Sequence, residues 1–233
     1  MICFVDYRIS NTEEKSLKYL GANIIKVPPC DNLYEAIKGH VDIQLNIINK
    51  KKKEIIIHKG ISNTFKNELI KNNINFIESE KSLGLKYPNN IFLNALVLEN
   101  YFIHNLKYSD EILLKTQSNK ISINVNQGYT KCSSLVVNEK SIITNDTGIY
   151  NSLLKYDFDI LLIPPGDIVL EGFEYGFIGG TGGLIDSSTM AFFGSLENYK
   201  YGKEVENFLK KHNVNPINLS NGKLYDRGSL FTL

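Results

Sequence analysis

At 233 residues, with 42% hydrophobic and 22% charged residues, the chain has the composition of a globular protein and enough length for a large core. Its formal net charge of +1 creates no overall field that would favour nucleic acid or an anionic membrane. No apolar run approaches the roughly 18 residues of a membrane helix, and the N-terminus lacks the pattern of a signal peptide. Three cysteines and four scattered histidines without metal-ligand spacing predict reduced thiols, a cytoplasmic protein and no structural metal.

Five short apolar runs predict buried strands, because each is rich in β-branched or aromatic residues and is followed by polar residues. In chain order they are ICFVD from Ile2, EIIIH from Glu54, YFIHN from Tyr101, SIITN from Ser141 and TMAFF from Thr189. A helix is predicted after each strand, and the first three helices have Ser10, Ser62 and Ser109 as candidate N-caps. A second apolar run follows each helix: ANIIKVP, INFIESE, KISINVN, DILLIPP and VNPINLS.

A third strand is predicted in each segment, beginning at or continuing from an aligned leucine. The five alignments are Asp42-Ile-Gln-Leu45, Asn90-Ile-Phe-Leu93, Cys132-Ser-Ser-Leu135, Thr181-Gly-Gly-Leu184 and Arg227-Gly-Ser-Leu230. The chain therefore reads as five strand–helix–strand–strand units, at approximately 1–53, 54–100, 101–140, 141–188 and 189–233. Units of this size cannot bury their own apolar faces, so we predict one domain, a closed five-bladed α/β propeller with pseudo-fivefold symmetry. An ordinary α/β sandwich is the alternative.

Two longer stretches and one short motif resemble a known fold family. The stretches are PPGDIVLEGFEYGFIGGTGGLI and QGYTKCSSLVVNEKSIITNDTGI, and the motif is the His-x-Asp of GHVD. Together with the five units, they resemble the pentein, or guanidino-group modifying enzyme, superfamily, which includes arginine and agmatine deiminases, dimethylarginine hydrolases, amidinotransferases and a ribosome anti-association factor. The two stretches are most similar to a bacterial branch of that fold with no established reaction.

The resemblance implies a catalytic role for three residues. Catalytic penteins carry histidine and aspartate on one strand and a nucleophilic cysteine on the equivalent strand two units later. Here His40 and Asp42 lie in the first unit and Cys132 in the third. The implied roles are nucleophile for Cys132, acid and base for His40, and substrate anchor for Asp42, with no metal or organic cofactor. The enzyme families place these residues in later units, so this chain would use a rotated arrangement.

The aligned positions of the other units supply candidate substrate contacts. Asn90, Thr181 and Arg227 occupy these positions, and Asp226 or Asp6 would provide a second carboxylate. Arg227 would repel a purely cationic substrate and favour a ligand that also bears a carboxylate or phosphate. The sequence therefore favours a small amino-acid ligand with a guanidino, ureido or amide group.

Each candidate residue also has a purely structural interpretation. Cys132 would be a small buried hydrophobe, His40 a residue that hydrogen-bonds a turn, and Asp42 a cap at the end of a loop. The glycine-rich GFIGGTGG, residues 176–183, is followed by a predicted strand instead of a helix. It therefore favours a close backbone approach over a nucleotide-binding loop.

Two functions follow from these patterns. The first is a cysteine-dependent hydrolase or transferase that acts on a C–N bond of a guanidino-type or related amino-acid ligand. The second is a non-catalytic pentein that binds a small molecule or a macromolecule such as the ribosome. Neither nucleic acid nor a membrane is a favoured partner, and the sequence does not specify the oligomeric state.

Overall fold

The computed structural model describes residues 1–233 as a mixed α/β structure with fifteen strands and six α-helices. The first elements are β1 (Ile2–Asp6), α1 (Asn11–Tyr19), β2 (Asn23–Val27), α2 (Val41–Gln44), β3 (Leu45–Asn49), β4 (Glu54–Lys59), α3 (Asn63–Lys71) and β5 (Asn75–Ser82). The middle elements are β6 (Leu96–Val97), β7 (Tyr101–His104), α4 (Glu111–Thr116), β8 (Ile121–Asn124), β9 (Ser134–Asn138), β10 (Ser141–Thr144), α5 (Thr147–Leu154) and β11 (Asp159–Leu162). The last elements are β12 (Gly182–Leu184), β13 (Thr189–Phe192), α6 (Gly202–Lys211), β14 (Asn215–Asn218) and β15 (Phe231–Thr232). The five predicted opening strands are all present.

The strands form five small sheets of three strands each. Their orders are β15-β1-β2, β3-β4-β5, β6-β7-β8, β9-β10-β11 and β12-β13-β14. In every sheet the central strand is a predicted opening strand. It pairs in parallel with the strand after the helix and antiparallel with the third strand of the preceding segment, or, for β1, of the last. The two ends of the chain therefore meet in one sheet, where Cys3 lies opposite Thr232 and Phe4 opposite Phe231.

The helices begin where short polar side chains satisfy free backbone N–H groups. Ser10 caps α1 in a capping box with Glu13, and Ser62 caps α3, as predicted. The prediction for Ser109 is wrong, because Asp110 is the cap of α4 and accepts hydrogen bonds from two N–H groups of the first turn. The hydroxyl of Ser109 bonds back to the Asn105 carbonyl instead.

The motif that contains His40 and Asp42 does not lie on a strand. His40 precedes the single helical turn of α2, and Asp42 lies within that turn, so strand β3 begins only at Leu45. Gln44 holds the turn in place because its side-chain amide donates to the carbonyls of Pro28 and Lys38. The two residues therefore share a helical turn at the entry to a strand.

The core lies between the sheets and the inward faces of the helices. Strands β1 and β10 are buried along their whole length. Each longer helix adds buried apolar side chains, such as Leu17 of α1, Leu113 of α4 and Leu209 of α6. Full burial of one such side chain stabilises the fold by about 1.5–3 kcal/mol. Packing against the helices therefore stabilises these three-stranded sheets, which are too small to be stable alone.

The glycine-rich segment allows backbone and side chains to approach closely. A Cβ atom on Gly179 would lie 2.1 Å from the carbonyl oxygen of Lys131, and one on Gly183 would lie 2.1 Å from that of Leu230. Residues 178–181 form a short 3-10 turn that leads into β12, so no helix follows the glycines. This confirms the interpretation of the segment as a site of close approach.

The three cysteines are free thiols, and all three are buried. None of the helices has both the length and the apolar character needed to span a membrane.

Candidate active site

Cys132, His40 and Asp42 come together in the interior of the protein. One nitrogen, oxygen or sulfur atom from each lies within 4.8 Å of the others, and none of the three residues is more than 2% exposed. The thiol of Cys132 donates a hydrogen bond of 3.1 Å to Oδ1 of Asp42. The turn α2 therefore brings the imidazole and the carboxylate to the thiol, which lies just before β9.

Asn94, which the sequence analysis missed, fixes the position of Cys132. Its amide nitrogen donates to Sγ of Cys132 at 3.1 Å and to the carbonyl of Asp42 at 3.0 Å. Its carbonyl oxygen accepts from the backbone N–H groups of Lys131 and Cys132. One side chain thus connects the two halves of the cluster. The sequence feature that could have identified Asn94 is a Leu-Asn pair that recurs in the first two units, at 45–46 and 93–94.

Ser229 and Lys131 support the opposite side of Asp42, and the sequence analysis missed both. The Ser229 hydroxyl lies 2.6 Å from Oδ2 of Asp42, and the ammonium of Lys131 lies 2.8 Å from that hydroxyl. Both residues are buried. A continuous chain of hydrogen bonds therefore runs from Lys131 through Ser229 and Asp42 to the thiol of Cys132.

Burial favours the neutral forms of the Cys132 thiol and the His40 imidazole. Burial, together with the negative charges of Asp42 and Asp226, raises the pKa of the Cys132 thiol well above its ordinary value. Burial also lowers the pKa of His40, although the Asp42 carboxylate acts in the opposite direction. At neutral pH, Cys132 is therefore a thiol and His40 a neutral imidazole.

A second carboxylate, Asp226, lies beside His40. Its Oδ1 is 3.8 Å from Nδ1 of His40, and its two oxygens accept the N–H groups of Phe177 and Gly228. Burial raises the pKa of Asp226 to about 6. A Cβ atom on Gly180 would lie 1.8 Å from Oδ1, so only glycine fits there. The glycine-rich segment therefore forms the wall against which this carboxylate packs.

Two of the predicted contact residues have side chains that are already engaged elsewhere. The carboxylate of Asp6 forms an ion pair with Arg8, with a shortest distance of 2.6 Å. Arg8 also donates to the carbonyls of Glu35 and Ala36, so the pair anchors the segment that precedes His40. The Thr181 hydroxyl donates to the Ile178 carbonyl.

Unpaired polar atoms concentrate at the predicted site. Nine buried side-chain nitrogen or oxygen atoms have no hydrogen-bond partner, and four of them belong to His40, Asn90 and Arg227. They are both ring nitrogens of His40, Oδ1 of Asn90 and Nε of Arg227. Native proteins leave few such atoms unpaired, and each one calls for a ligand or water. The atoms include donors and acceptors, as recognition of a polar ligand requires.

The donor atoms of the cluster also resemble those of metal sites. Imidazole nitrogen, carboxylate oxygen and thiolate sulfur are the ligands that zinc prefers, usually four in number or three with an open position. His40, Asp42 and Cys132 provide one of each. The absence of a metal or cofactor therefore stays a prediction.

Solved structures with a similar fold include two amidinotransferases. SxtG, an amidinotransferase from Microseira wollei in the saxitoxin biosynthetic pathway, superposes with a TM-score of 0.58 at 12% identity, over 95% of this chain and 78% of that protein. The inosamine-phosphate amidinotransferase StrB1 from Streptomyces griseus gives 0.52 at 12% identity, with the same two coverages, 95% and 78%. C. jejuni agmatine deiminase gives only 0.39 at 15% identity, over 71% of this chain and 59% of the deiminase.

The amidinotransferases establish the fold, and the sequence establishes the family. The two amidinotransferase structures show that this chain shares their fold, as the resemblance to the pentein superfamily predicts. A search of curated proteins found no match. The model of a family of unknown function, DUF6873, matches residues 4–231, and the chain therefore belongs to that family.

Proposed function

We propose that this protein is a cysteine-dependent enzyme that breaks a C–N bond of a guanidino-type or related amino-acid ligand. The observation that carries the proposal is the convergence of the Cys132 thiol, the His40 imidazole and the Asp42 carboxylate within 4.8 Å. The shared fold with two amidinotransferases supports it. The ligand is a small molecule, and the protein acts in the cytoplasm.

The neutral resting site determines how the reaction begins. A planar guanidinium that binds between Asp42 and Asp226 brings a positive charge next to the thiol and offsets the carboxylates that raise its pKa. His40 then accepts the thiol proton, and the Cys132 sulfur forms a bond to the guanidinium carbon. The C–N bond breaks as His40 returns the proton to the departing amine.

Release of the thiol completes the cycle. Water, or the amine of a second substrate, attacks the carbon of the covalent intermediate while His40 removes its proton, and the C–S bond breaks. Water gives hydrolysis, and an amine gives amidino transfer. The unpaired Nε of Arg227 donates to the carboxylate of the ligand, and the unpaired Oδ1 of Asn90 accepts from an N–H group of the ligand. Asp6 acts indirectly, through Arg8 and the segment that leads to His40, and Thr181 holds the turn of residues 178–181 against the site.

The site also requires a closed arrangement of the five units. We propose that the single domain is a five-bladed propeller with pseudo-fivefold symmetry and with units at approximately 1–53, 54–100, 101–140, 141–188 and 189–233. Two observations support this: β15 pairs with β1, and the third strands of all five segments line one cavity. A shared axis explains why aligned positions of different units meet at Cys132.

The test combines mass spectrometry with a panel of ligands. The full chain is incubated separately with agmatine, arginine and citrulline, quenched in acid, and analysed for a covalent adduct on the Cys132 peptide. We expect an adduct with at least one ligand, absent in Cys132→Ser and unaffected by Cys30→Ser, which replaces another buried cysteine. Ammonia release without a second amine indicates hydrolysis, whereas turnover that requires an added amine indicates transfer. No adduct and no turnover with any ligand would contradict the proposal.

One observation favours the second candidate, a pentein that binds without chemistry. Cys132 is only 2% exposed, and burial raises the pKa of its thiol, which are properties of a structural cysteine. In that case the unpaired atoms of His40, Asn90 and Arg227 bind a ligand that leaves unchanged. Saturable binding of arginine or citrulline that is equal in wild type and Cys132→Ser, with no adduct, would establish this function.

A further inference from the structure

A cavity of about 990 Å³ adjoins the Cys132 cluster at Lys131. Residues of all five third strands line it, among them Asn46 of β3, Leu96 of β6, Leu135 of β9, Leu184 of β12 and Phe231 of β15. None of Cys132, His40 and Asp42 belongs to the lining, whereas Lys131 does. Its volume falls at the upper end of the range for small-molecule sites.

Lys131 places a buried amino group in this lining. Burial lowers the pKa of Lys131, and the nearby carboxylates of Asp42 and Asp226 act in the opposite direction. The residue is 8% exposed, and its ammonium group donates to the Ser229 hydroxyl and to the Gly179 carbonyl at 2.8 and 3.2 Å. An ammonium group has three N–H donors, so one remains for a ligand. The nitrogen also lies 5.5 Å from the ring centroid of Phe231. No carboxylate forms an ion pair with it, because Asp42 is reached only through Ser229.

The rest of the lining combines apolar and polar residues and has an excess of basic over acidic ones. Of the 31 lining residues, 14 are hydrophobic. The charged ones are five lysines and three glutamates: Lys50, Lys51, Lys52, Lys120, Lys131, Glu54, Glu99 and Glu139. The Glu139 carboxylate is occupied by the backbone N–H groups of Glu99 and Asn100. The cavity is thus suited to an anion with an apolar body, and it would disfavour a guanidinium.

We propose that this cavity binds an organic acid, whose carboxylate pairs with Lys131 and whose apolar body lies along the third strands. The remaining N–H of Lys131 donates to the carboxylate in a charge-assisted hydrogen bond. Side chains such as Leu135, Leu184 and Phe231 contact the body, and the exposed lysines at 50–52 attract the anion from solvent. The proposal does not rest on the guanidino chemistry proposed above, although Lys131 connects the two sites through Ser229 and Asp42.

Calorimetric titration of the full chain with octanoate tests the proposal. Octanol, which has the same chain length without the charge, is the matched ligand. We expect saturable binding of one octanoate per chain, at least tenfold weaker binding of octanol, and at least a tenfold loss for octanoate in Lys131→Met, which keeps most of the apolar stem. Octanoate should bind Cys132→Ser as it binds the wild type.

A second variant covers the case in which Lys131→Met fails to fold. Leu184→Trp fills the cavity from β12 without touching Lys131, and it should abolish octanoate binding while circular dichroism remains native. No saturable octanoate binding to the wild type, or equal affinity for octanol, would overturn the proposal. The proposal would also be overturned if inorganic phosphate bound the wild type as tightly as octanoate does and bound Lys131→Met equally well. Anions would then bind the exposed lysines alone.

Discussion

Replacing Ser229 with alanine tests the hydrogen-bond chain that supports the candidate active site. The Ser229 hydroxyl lies 2.6 Å from Asp42 Oδ2, 2.8 Å from the Lys131 ammonium and 2.7 Å from the Gly179 carbonyl oxygen. Ser229 has a φ of 72°, in the left-handed region. Alanine carries the same Cβ and meets the same backbone strain, so Ser229→Ala removes the hydroxyl and little else.

The expected loss of stability follows from the hydrogen bonds that Ser229 makes to two charged groups, the Asp42 carboxylate and the Lys131 ammonium. A hydrogen bond to a charged group contributes about 1.5–3 kcal/mol net, so two of them contribute about 3–6 kcal/mol. Lys131 is able to move towards Asp42 once the hydroxyl is gone, which recovers part of that energy. We therefore expect the free energy of unfolding to fall by about 3 kcal/mol. For a chain of this size, that corresponds to a decrease in Tm of about 6–12 °C.

Urea denaturation at pH 7, followed by circular dichroism, measures the loss. Ser188→Ala is the matched control, because the hydroxyl of Ser188 is exposed and bonds only to Asp186. It should change the free energy of unfolding by less than about 0.5 kcal/mol. The double variant with Lys131→Met should show a coupling above about 0.5 kcal/mol. A loss below about 1 kcal/mol for Ser229→Ala, or no coupling, would refute the chain of hydrogen bonds.

Three further predictions concern the carboxylates of the site. Asp42→Asn removes a negative charge that raises the pKa of the Cys132 thiol. Iodoacetamide should therefore label Cys132 faster at pH 8 in this variant than in the wild type, with equal labelling of the control Cys30. Unchanged labelling of Cys132 would contradict this prediction. Gly180→Ala places a Cβ 1.8 Å from the Asp226 carboxylate and should lower Tm strongly. Gly222→Ala is the control, because open space surrounds Gly222, and it should leave Tm unchanged. Equal Tm values for the two variants would be inconsistent with the close packing of Gly180 against Asp226. Burial raises the pKa of Asp226 to about 6, so its contribution to stability is full below the unfolded pKa of about 4 and is lost as the pH rises through 6. Urea denaturation from pH 4 to 7 should show this loss in wild type and not in Asp226→Asn.

The repeating pattern of apolar runs was sufficient to predict the opening strands and two of the three helix caps, but the third strands β6 and β15 begin after their aligned leucines, Leu93 and Leu230. Runs such as EIIIH have few alternatives to a buried strand, and Ser10 and Ser62 precede amphipathic stretches. Ser109 failed because its neighbour Asp110 has two oxygens: one accepts two N–H groups of the helix, and the other accepts the N–H of Glu80. Choosing between adjacent capping residues depends on such tertiary contacts, which the local sequence does not contain.

The prediction of the site residues was incomplete because the alignment of the units selected only one residue from each unit. Asp42 and Cys132 occupy aligned positions, and they do meet. The residues that support them lie just beside the alignment: Asn94 follows an aligned leucine, and Ser229 precedes one. Lys131 was overlooked because a lysine next to a cysteine is ordinarily a solvated residue, and only the fold shows that this one is buried.

Asp42 accounts for both the protonated thiol of Cys132 and the reactivity that we propose for it when a guanidinium binds. The Asp42 carboxylate accepts a hydrogen bond of 3.1 Å from the Cys132 thiol, and its charge opposes a negative charge on the sulfur. A guanidinium bound at the same carboxylate neutralises that charge and presents its carbon to the sulfur. An anionic ligand would instead add to the repulsion and keep the thiol protonated. The arrangement therefore couples ionisation of Cys132 to the arrival of a cation. A Cys132 thiol that resists alkylation when no guanidino ligand is added is thus compatible with catalysis. The adduct experiment with guanidino ligands is the measurement that separates an enzyme from a binding protein.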